Sequence, residues 1–134
     1  MPPVLSIARS ADVTIAADSD LGSSGATSTA SWGTNDREPE LLRQAGLSAA
    51  EALAAATVNG PRMLGPQAPE PGVLRLGYDA DLIALSADPT ADLTLLADPE
   101  NITHVWRQGS LVKQPGRAQR NTDGPPRPPL REVP

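Results

Sequence analysis

Cysteine is absent from the 134 residues of this chain, and so is phenylalanine. Without thiols the chain has no disulfides, no cysteine nucleophile and no thiolate metal ligand. Its aromatic residues are Trp32, Trp106 and Tyr78, so we expect a core built from alanine, leucine, valine and isoleucine. Because small alanine side chains bury little area at about 25 cal/mol per Å², the sequence predicts marginal independent stability.

Long apolar runs and clustered positive charge are also missing. No run approaches the roughly 20 apolar residues that span a bilayer, and residues 1–10 lack the basic start and apolar block of a signal peptide. We therefore predict a cytoplasmic protein with no membrane partner. A nucleic-acid-binding surface needs clustered Lys and Arg. The formal net charge of −5, spread without such clusters, predicts no nucleic-acid partner.

The first half of the chain begins with a β pattern and continues with helical patterns. Residues 13–17 (VTIAA) are apolar and partly β-branched, which predicts a short buried strand. A loop rich in Gly, Ser and Thr follows over residues 22–34. A helix is predicted from Arg37 to Ala45, with Leu41 and Leu42 facing inward.

A capping box marks the next helix. Ser48 is followed three residues later by Glu51, and residues 49–57 then have high helix propensity. The sequence Asn-Gly-Pro at residues 59–61 predicts the end of this helix, because a proline removes a backbone donor. A short helical turn is expected to restart at residues 62–64.

After Gly72 the pattern changes to β. Gln108 and Gly109 predict a two-residue hairpin turn, residues 92–97 a single helical turn, and the Pro-rich residues 115–134 a disordered tail. We predict three parts, residues 1–65, 66–114 and 115–134. The predicted strands occupy residues 73–76, 81–85, 102–107 and 110–113.

Three stretches carry a family resemblance. They are AGLSAAEALAAATVNGPRMLG at residues 45–65, PGVLRLGYDADLIALSADPTADL at residues 71–93 and ITHVWRQGSLV at residues 102–112. This pattern resembles the last part of metal-dependent amidohydrolases of the imidazolonepropionase or prolidase-like branch. The resemblance implies an α/β fold, namely the C-terminal fragment of a TIM-type (β/α)₈ barrel with strands of a small composite β-sandwich.

The resemblance also implies a role for Asp20. The stretch VTIAADSDLG is similar to the end of the family's last barrel strand, whose Asp binds the metal and takes a proton from the attacking water. A carboxylate at the mouth of a barrel strand can do both. Asp18 stands where the family usually has Gly. Spacing alone favours the interpretation of Asp20 as an ordinary solvated loop carboxylate, and the resemblance favours the catalytic role.

The remaining candidate residues are weaker. Trp32 lies near the position where many relatives have a His-Gly pair, and it either lines a substrate pocket or covers the barrel wall. His104 reads as a surface or edge-strand histidine rather than a ligand. The complete family enzymes use Zn or another divalent metal, but one histidine and no thiolates do not make a zinc site. We predict that this chain alone binds no cofactor.

A complete barrel needs roughly 250 residues, so we read the chain as a fragment, a truncated relative or a subunit. The resemblance implies hydrolysis of a C–N amide bond by metal-activated water, with a small amide substrate once the barrel is completed. The isolated chain is predicted to be inactive. Two alternatives remain: a structural module that pairs with a separate barrel portion or forms a homo-oligomer, or a remnant without function.

Overall fold

The computed structural model describes residues 3–18, 35–65 and 72–116 of the chain. In these residues a helical part precedes a three-stranded antiparallel sheet, with short 3₁₀ turns at Asn35–Arg37, Leu93–Ala97 and Pro99–Asn101. The helices are α1 (Pro3–Ser10), α2 (Glu38–Gln44), α3 (Ala49–Ala56) and α4 (Asn59–Leu64), and the strands are β1 (Leu82–Leu85), β2 (Ile102–Arg107) and β3 (Ser110–Lys113). No helix in these ranges is long and apolar enough to cross a membrane.

Helix α2 confirms the helix predicted between Arg37 and Ala45. Pro39 lies in its first turn, where a missing N–H costs no helical hydrogen bond. Gly46, with φ of 111°, follows its end. One detail was wrong, since Leu41 is exposed and only Leu42 packs against the core.

Helix α3 begins with the predicted capping box. The Ser48 hydroxyl accepts a hydrogen bond from the Glu51 N–H at 3.2 Å. In return, a Glu51 carboxylate oxygen accepts one from the Ser48 N–H at 2.7 Å. Two amides that no helical carbonyl can reach are thereby satisfied.

Replacing Ser48 by alanine is expected to lower the free energy of unfolding by about 1 kcal/mol, because the Glu51 amide loses its acceptor. Urea denaturation followed by circular dichroism measures this change. Ser110→Ala, at an exposed strand position, is the matched control and should have a smaller effect. Equal effects of the two substitutions would contradict the assigned role of the cap.

Helix α4 begins earlier than the sequence predicted. The sequence suggested that Asn59, Gly60 and Pro61 end or kink a helix, yet all three belong to the first turn of α4. A proline is tolerated there because the first amides of a helix have no intrahelical acceptor. The break between α3 and α4 falls instead at Thr57 and Val58.

The predicted strand over residues 13–17 does not form in the described part of the chain. Residues 13–18, called the docked segment below, lie outside regular secondary structure, and Val13 is 56% exposed. The segment hydrogen-bonds to helices: the Ala17 N–H donates to the Ala55 carbonyl at 2.9 Å. A β-strand requires a neighbouring strand, and among the described residues no strand pairs with the docked segment. Helix α1, just before it, was not predicted.

The sheet has the order β1-β2-β3, so β2 is central. Trp106 of β2 lies opposite Leu82 of β1 and Leu111 of β3. The predicted hairpin turn between β2 and β3 is confirmed: Gln108 and Gly109 both have positive φ, 49° and 74°, as a type I′ turn requires. The predicted bounds of β2 and β3 are confirmed, and β1 begins one residue later than expected.

The strand predicted over residues 73–76 was wrong. The Arg75 N–H donates to the Val73 carbonyl at 3.1 Å, which folds the chain into a tight turn. Gly72 and Gly77 flank it with φ of 84° and 91°, values that interrupt a strand. Leu74 and Leu76 are almost fully exposed.

A small core joins the helices to the 3₁₀ turn between β1 and β2. Leu47, Ala52 and Leu93 form its buried cluster, with Leu93 only 1% exposed. Ile15 of the docked segment and Leu42 pack against it. The turn that carries Leu93 is the predicted helical turn, capped by Asp92. The core therefore contains residues from both sides of the boundary predicted at residue 65.

Candidate active site

The docked segment is held by the junction of α3 and α4. The Asn59 side-chain amide donates to the Ile15 carbonyl at 2.8 Å, across 44 residues of sequence. Two residues further on, the Ala17 N–H donates to the Ala55 carbonyl. These two bonds fix the backbone directly before residues 18–20.

Helix α1, which precedes this segment in the sequence, is tied to α3 and to the turn before α3. Arg9 Nε lies 3.2 Å from Glu51 Oε1, and Arg9 Nη1 donates to the Gly46 carbonyl at 3.1 Å. Hydrogen bonds from Ser48, followed by the charge of Arg9, lower the pKa of Glu51. Glu51 therefore stays ionised at neutral pH and serves the cap of α3 and the contact to α1 together.

The two site residues predicted from the sequence, Asp20 and Trp32, lie outside the described residues. Asp18 is described, and it is exposed at the end of the docked segment. The structure thus places the backbone that leads to Asp20, and the role of Asp20 stays a prediction.

His104 lies on β2, the central strand of the described sheet, and is half-buried, so its reading as an edge-strand residue was wrong. Its ring stacks on Trp106 with centroids 5.4 Å apart and an interplanar angle of 14°. Its Nδ1 lies 3.1 Å from Thr103 Oγ1. These contacts integrate the imidazole into the sheet.

Among the described residues, no group of three or more His, Asp or Glu side chains is arranged to hold a metal ion. The donor set of this part of the chain therefore does not fit a divalent metal. The prediction that the isolated chain binds no metal stays a prediction, because Asp20 is outside the described ranges.

Several described carboxylates have clear structural roles. Hydrogen bonds from Arg43 and Gln44 lower the pKa of Glu40 from 4.5 to about 2. Thr90 and Thr94 lower the pKa values of Asp88 and Asp92 in the same way. A general acid needs a raised pKa, so these carboxylates are not suited to that role.

Two residues of this region were not singled out from the sequence as parts of a site. Asn59 was read only as part of a helix-ending Asn-Gly-Pro signal, and Arg9 lies in a helix that was not predicted. A long-range side-chain contact leaves no spacing pattern in one sequence.

Residues 6–112 match the model of the amidohydrolase family. The chain belongs to this family. The resemblance inferred from the three sequence stretches is thereby confirmed, and the chain is a member of a hydrolase family.

Ochratoxinase from Aspergillus niger is 44% identical over 91 residues, which are 67% of this chain and 19% of that protein. The crystal structure of A. niger ochratoxinase superimposes with a TM-score of 0.60 at 40% identity, covering 68% of this chain and 21% of the other. A prolidase complexed with N-methylphosphonate-L-proline gives a TM-score of 0.65 at 26% identity, covering 84% and 26%. The chain thus spans about a fifth of the ochratoxinase length.

These matches agree with the mixed helix and strand content of the chain and with its small antiparallel sheet. The neighbours are of the amidohydrolase type, and the prolidase likeness extends over more of the chain than the ochratoxinase likeness does.

Proposed function

We propose that this amidohydrolase chain supplies the closing piece of a (β/α)₈ barrel and one acid–base residue for the hydrolysis of an amide bond. The observation that carries the proposal is the docked segment. It is anchored at Ile15 and Ala17, and Asp20 comes two residues after its last residue in the sequence. In a TIM barrel the catalytic residues follow the ends of strands.

Exposed apolar side chains support the barrel interpretation. Val4 and Ile7 of α1 are exposed, and so is Val13 of the docked segment. These positions belong to a helix and an adjoining segment with a strand-like sequence. An adjacent helix and strand of a barrel would cover such side chains, and the segment would then gain the strand partners that it lacks in the described residues.

In the proposed mechanism, this chain contributes the carboxylate of Asp20. In this proposal the carboxylate stands at the end of the last barrel strand, where it accepts a proton from the attacking water. A divalent metal supplies activation of that water in such enzymes. The described residues do not form a metal site, and we propose that the other ligands come from the remaining barrel portion.

The substrate class is proposed from the relatives. The bound N-methylphosphonate-L-proline places a phosphonate on the proline nitrogen in that prolidase. A tetrahedral phosphorus at this position mimics the species formed when water attacks an N-acyl proline, and such mimics bind tightly to hydrolytic sites. We therefore propose an N-acyl amino acid or related amide for the completed barrel of this chain as well.

A non-catalytic interaction module is the second proposal, favoured by one observation. The strands β1 and β3 are the two edges of the sheet, and unpaired edges bind further strands. The exposed Leu74 and Leu76 lie just before β1. Under this proposal the partner is a separate barrel portion or a second copy of the chain, and no reaction is catalysed.

Reconstitution distinguishes the two proposals. The chain is co-expressed with the part of a close amidohydrolase relative that precedes the matched region, and release of the amino acid from an N-acyl-L-proline substrate is measured with added Zn²⁺. We expect turnover by the assembled pair and none by either part alone. A stable complex without turnover would favour the interaction module. If the chain formed neither this complex nor a dimer with a second copy of itself, both proposals would be overturned.

A further inference from the structure

Asn59 has a contact that its place in a helix does not require. It is the first residue of α4, but the N-cap of that helix is Val58, and no side chain caps it. Asparagine at a helix start usually satisfies the helix's own free amides. Here the side-chain amide donates instead to the Ile15 carbonyl, 44 residues away, and this hydrogen bond is partly buried.

The second anchor of the docked segment completes the end of α3. The carbonyl of Ala55 lies in the last turn, where helix carbonyls have no intrahelical donor. The Ala17 N–H supplies that donor at 2.9 Å. The two anchors hold backbone groups of Ile15 and Ala17. Ala55 lies in the last turn of α3 and Asn59 begins α4, so the anchors lie on either side of the break between the two helices.

We propose that Asn59 is a positioning residue for Asp20. Its amide, together with the Ala55 carbonyl, fixes the docked segment at points five and three residues before Asp20 in the sequence. This inference rests on the proposed function. We expect a fixed backbone at this point to limit displacement of the residues that follow it in the sequence, and small displacements of a catalytic group have large effects on rate.

Hydrogen exchange in the full chain tests the contact without requiring activity. Asn59→Asp keeps the side-chain size but replaces the N–H donor by an acceptor oxygen. Asn59→Leu has neither a donor nor an acceptor in its side chain. Loss of one hydrogen bond should speed exchange of the Ala17 amide about tenfold in each variant. The Ala52 amide, bonded to the Ser48 carbonyl within α3 at 2.9 Å, should change by less than about twofold.

Gln44→Leu is the matched control, since Gln44 Nε2 bonds to Glu40 on α2 and not to the docked segment. It should leave the Ala17 amide unchanged. Unchanged exchange of Ala17 in both Asn59 variants would overturn the proposal. If amide exchange accelerated equally at Ala17 and Ala52, or if both variants unfolded, Asn59 would have a general structural role, and the proposal would also be overturned.

The reconstituted pair gives a second readout. There Asn59→Asp should lower kcat about tenfold to a hundredfold with KM unchanged, because only the placement of Asp20 changes. A variant with wild-type kcat would overturn the positioning role. If the wild-type pair itself has no activity, the proposed function fails, while the exchange of the Ala17 amide still decides whether Asn59 fixes the segment.

Discussion

Replacing Asp20 by alanine in the reconstituted barrel should lower kcat by about 10² to 10⁴-fold, because the proton acceptor for the attacking water is lost. The free energy of unfolding of the pair should change by less than about 0.5 kcal/mol, as for a loop substitution outside the core. Steady-state kinetics measure the first change, and urea denaturation followed by circular dichroism measures the second.

Asp18→Gly is the matched control for this prediction. Asp18 is exposed at the end of the docked segment and stands where the family pattern usually has glycine. Asp20 is two residues away in the sequence, so removing the Asp18 charge should relieve repulsion and should maintain or raise kcat. An Asp20→Ala pair with unchanged kcat would show that Asp20 is an ordinary loop carboxylate. A large loss of kcat in Asp18→Gly would move the catalytic role to Asp18.

Replacing Leu93 by alanine should lower the free energy of unfolding by about 2 to 5 kcal/mol. Leu93 is 1% exposed and packs with Leu47 and Ala52. Ala52 and Ala55, which are also buried, contribute little apolar area, so a large share of the burial in this core depends on the two leucines, Leu47 and Leu93. Since small domains have about 5 to 15 kcal/mol in total, the variant should lose a large fraction of its stability. Urea denaturation of the full chain measures this.

Two further substitutions show whether packing causes the effect. Leu93→Met approximately conserves volume and should cost less than about 1.5 kcal/mol. Leu76→Ala, at a fully exposed leucine, should cost less than about 0.5 kcal/mol. If Leu93→Ala and Leu76→Ala had the same small effect, Leu93 would not be the contact that joins the 3₁₀ turn to the helices.

Local signals in the sequence predicted local structure well. Ser48 and Glu51 define a capping box whose two hydrogen bonds lie within four residues. Gln108 and Gly109 define a hairpin turn through their backbone conformations. In both cases the interacting groups are neighbours in the chain, so the residue types alone determine the outcome.

The same reasoning failed where structure depends on distant partners. Residues 13–17 and 73–76 both have strand-like sequences, but neither finds a strand partner in the described residues. The helix junction binds the first segment, and glycines with positive φ flank the second. β propensity describes how well residues suit a paired sheet and does not supply the pair.

The sequence by itself determined the family, the helix cap, the hairpin and the candidate role of Asp20. Only the tertiary structure decided that Leu93 shares a core with Leu47, that His104 lies in the central strand, and that Asn59 holds Ile15. The physical reason is the range of the interactions. Caps and turns form between residues close in the chain, whereas a core contact or a side-chain bond across 44 residues exists only after the chain has folded.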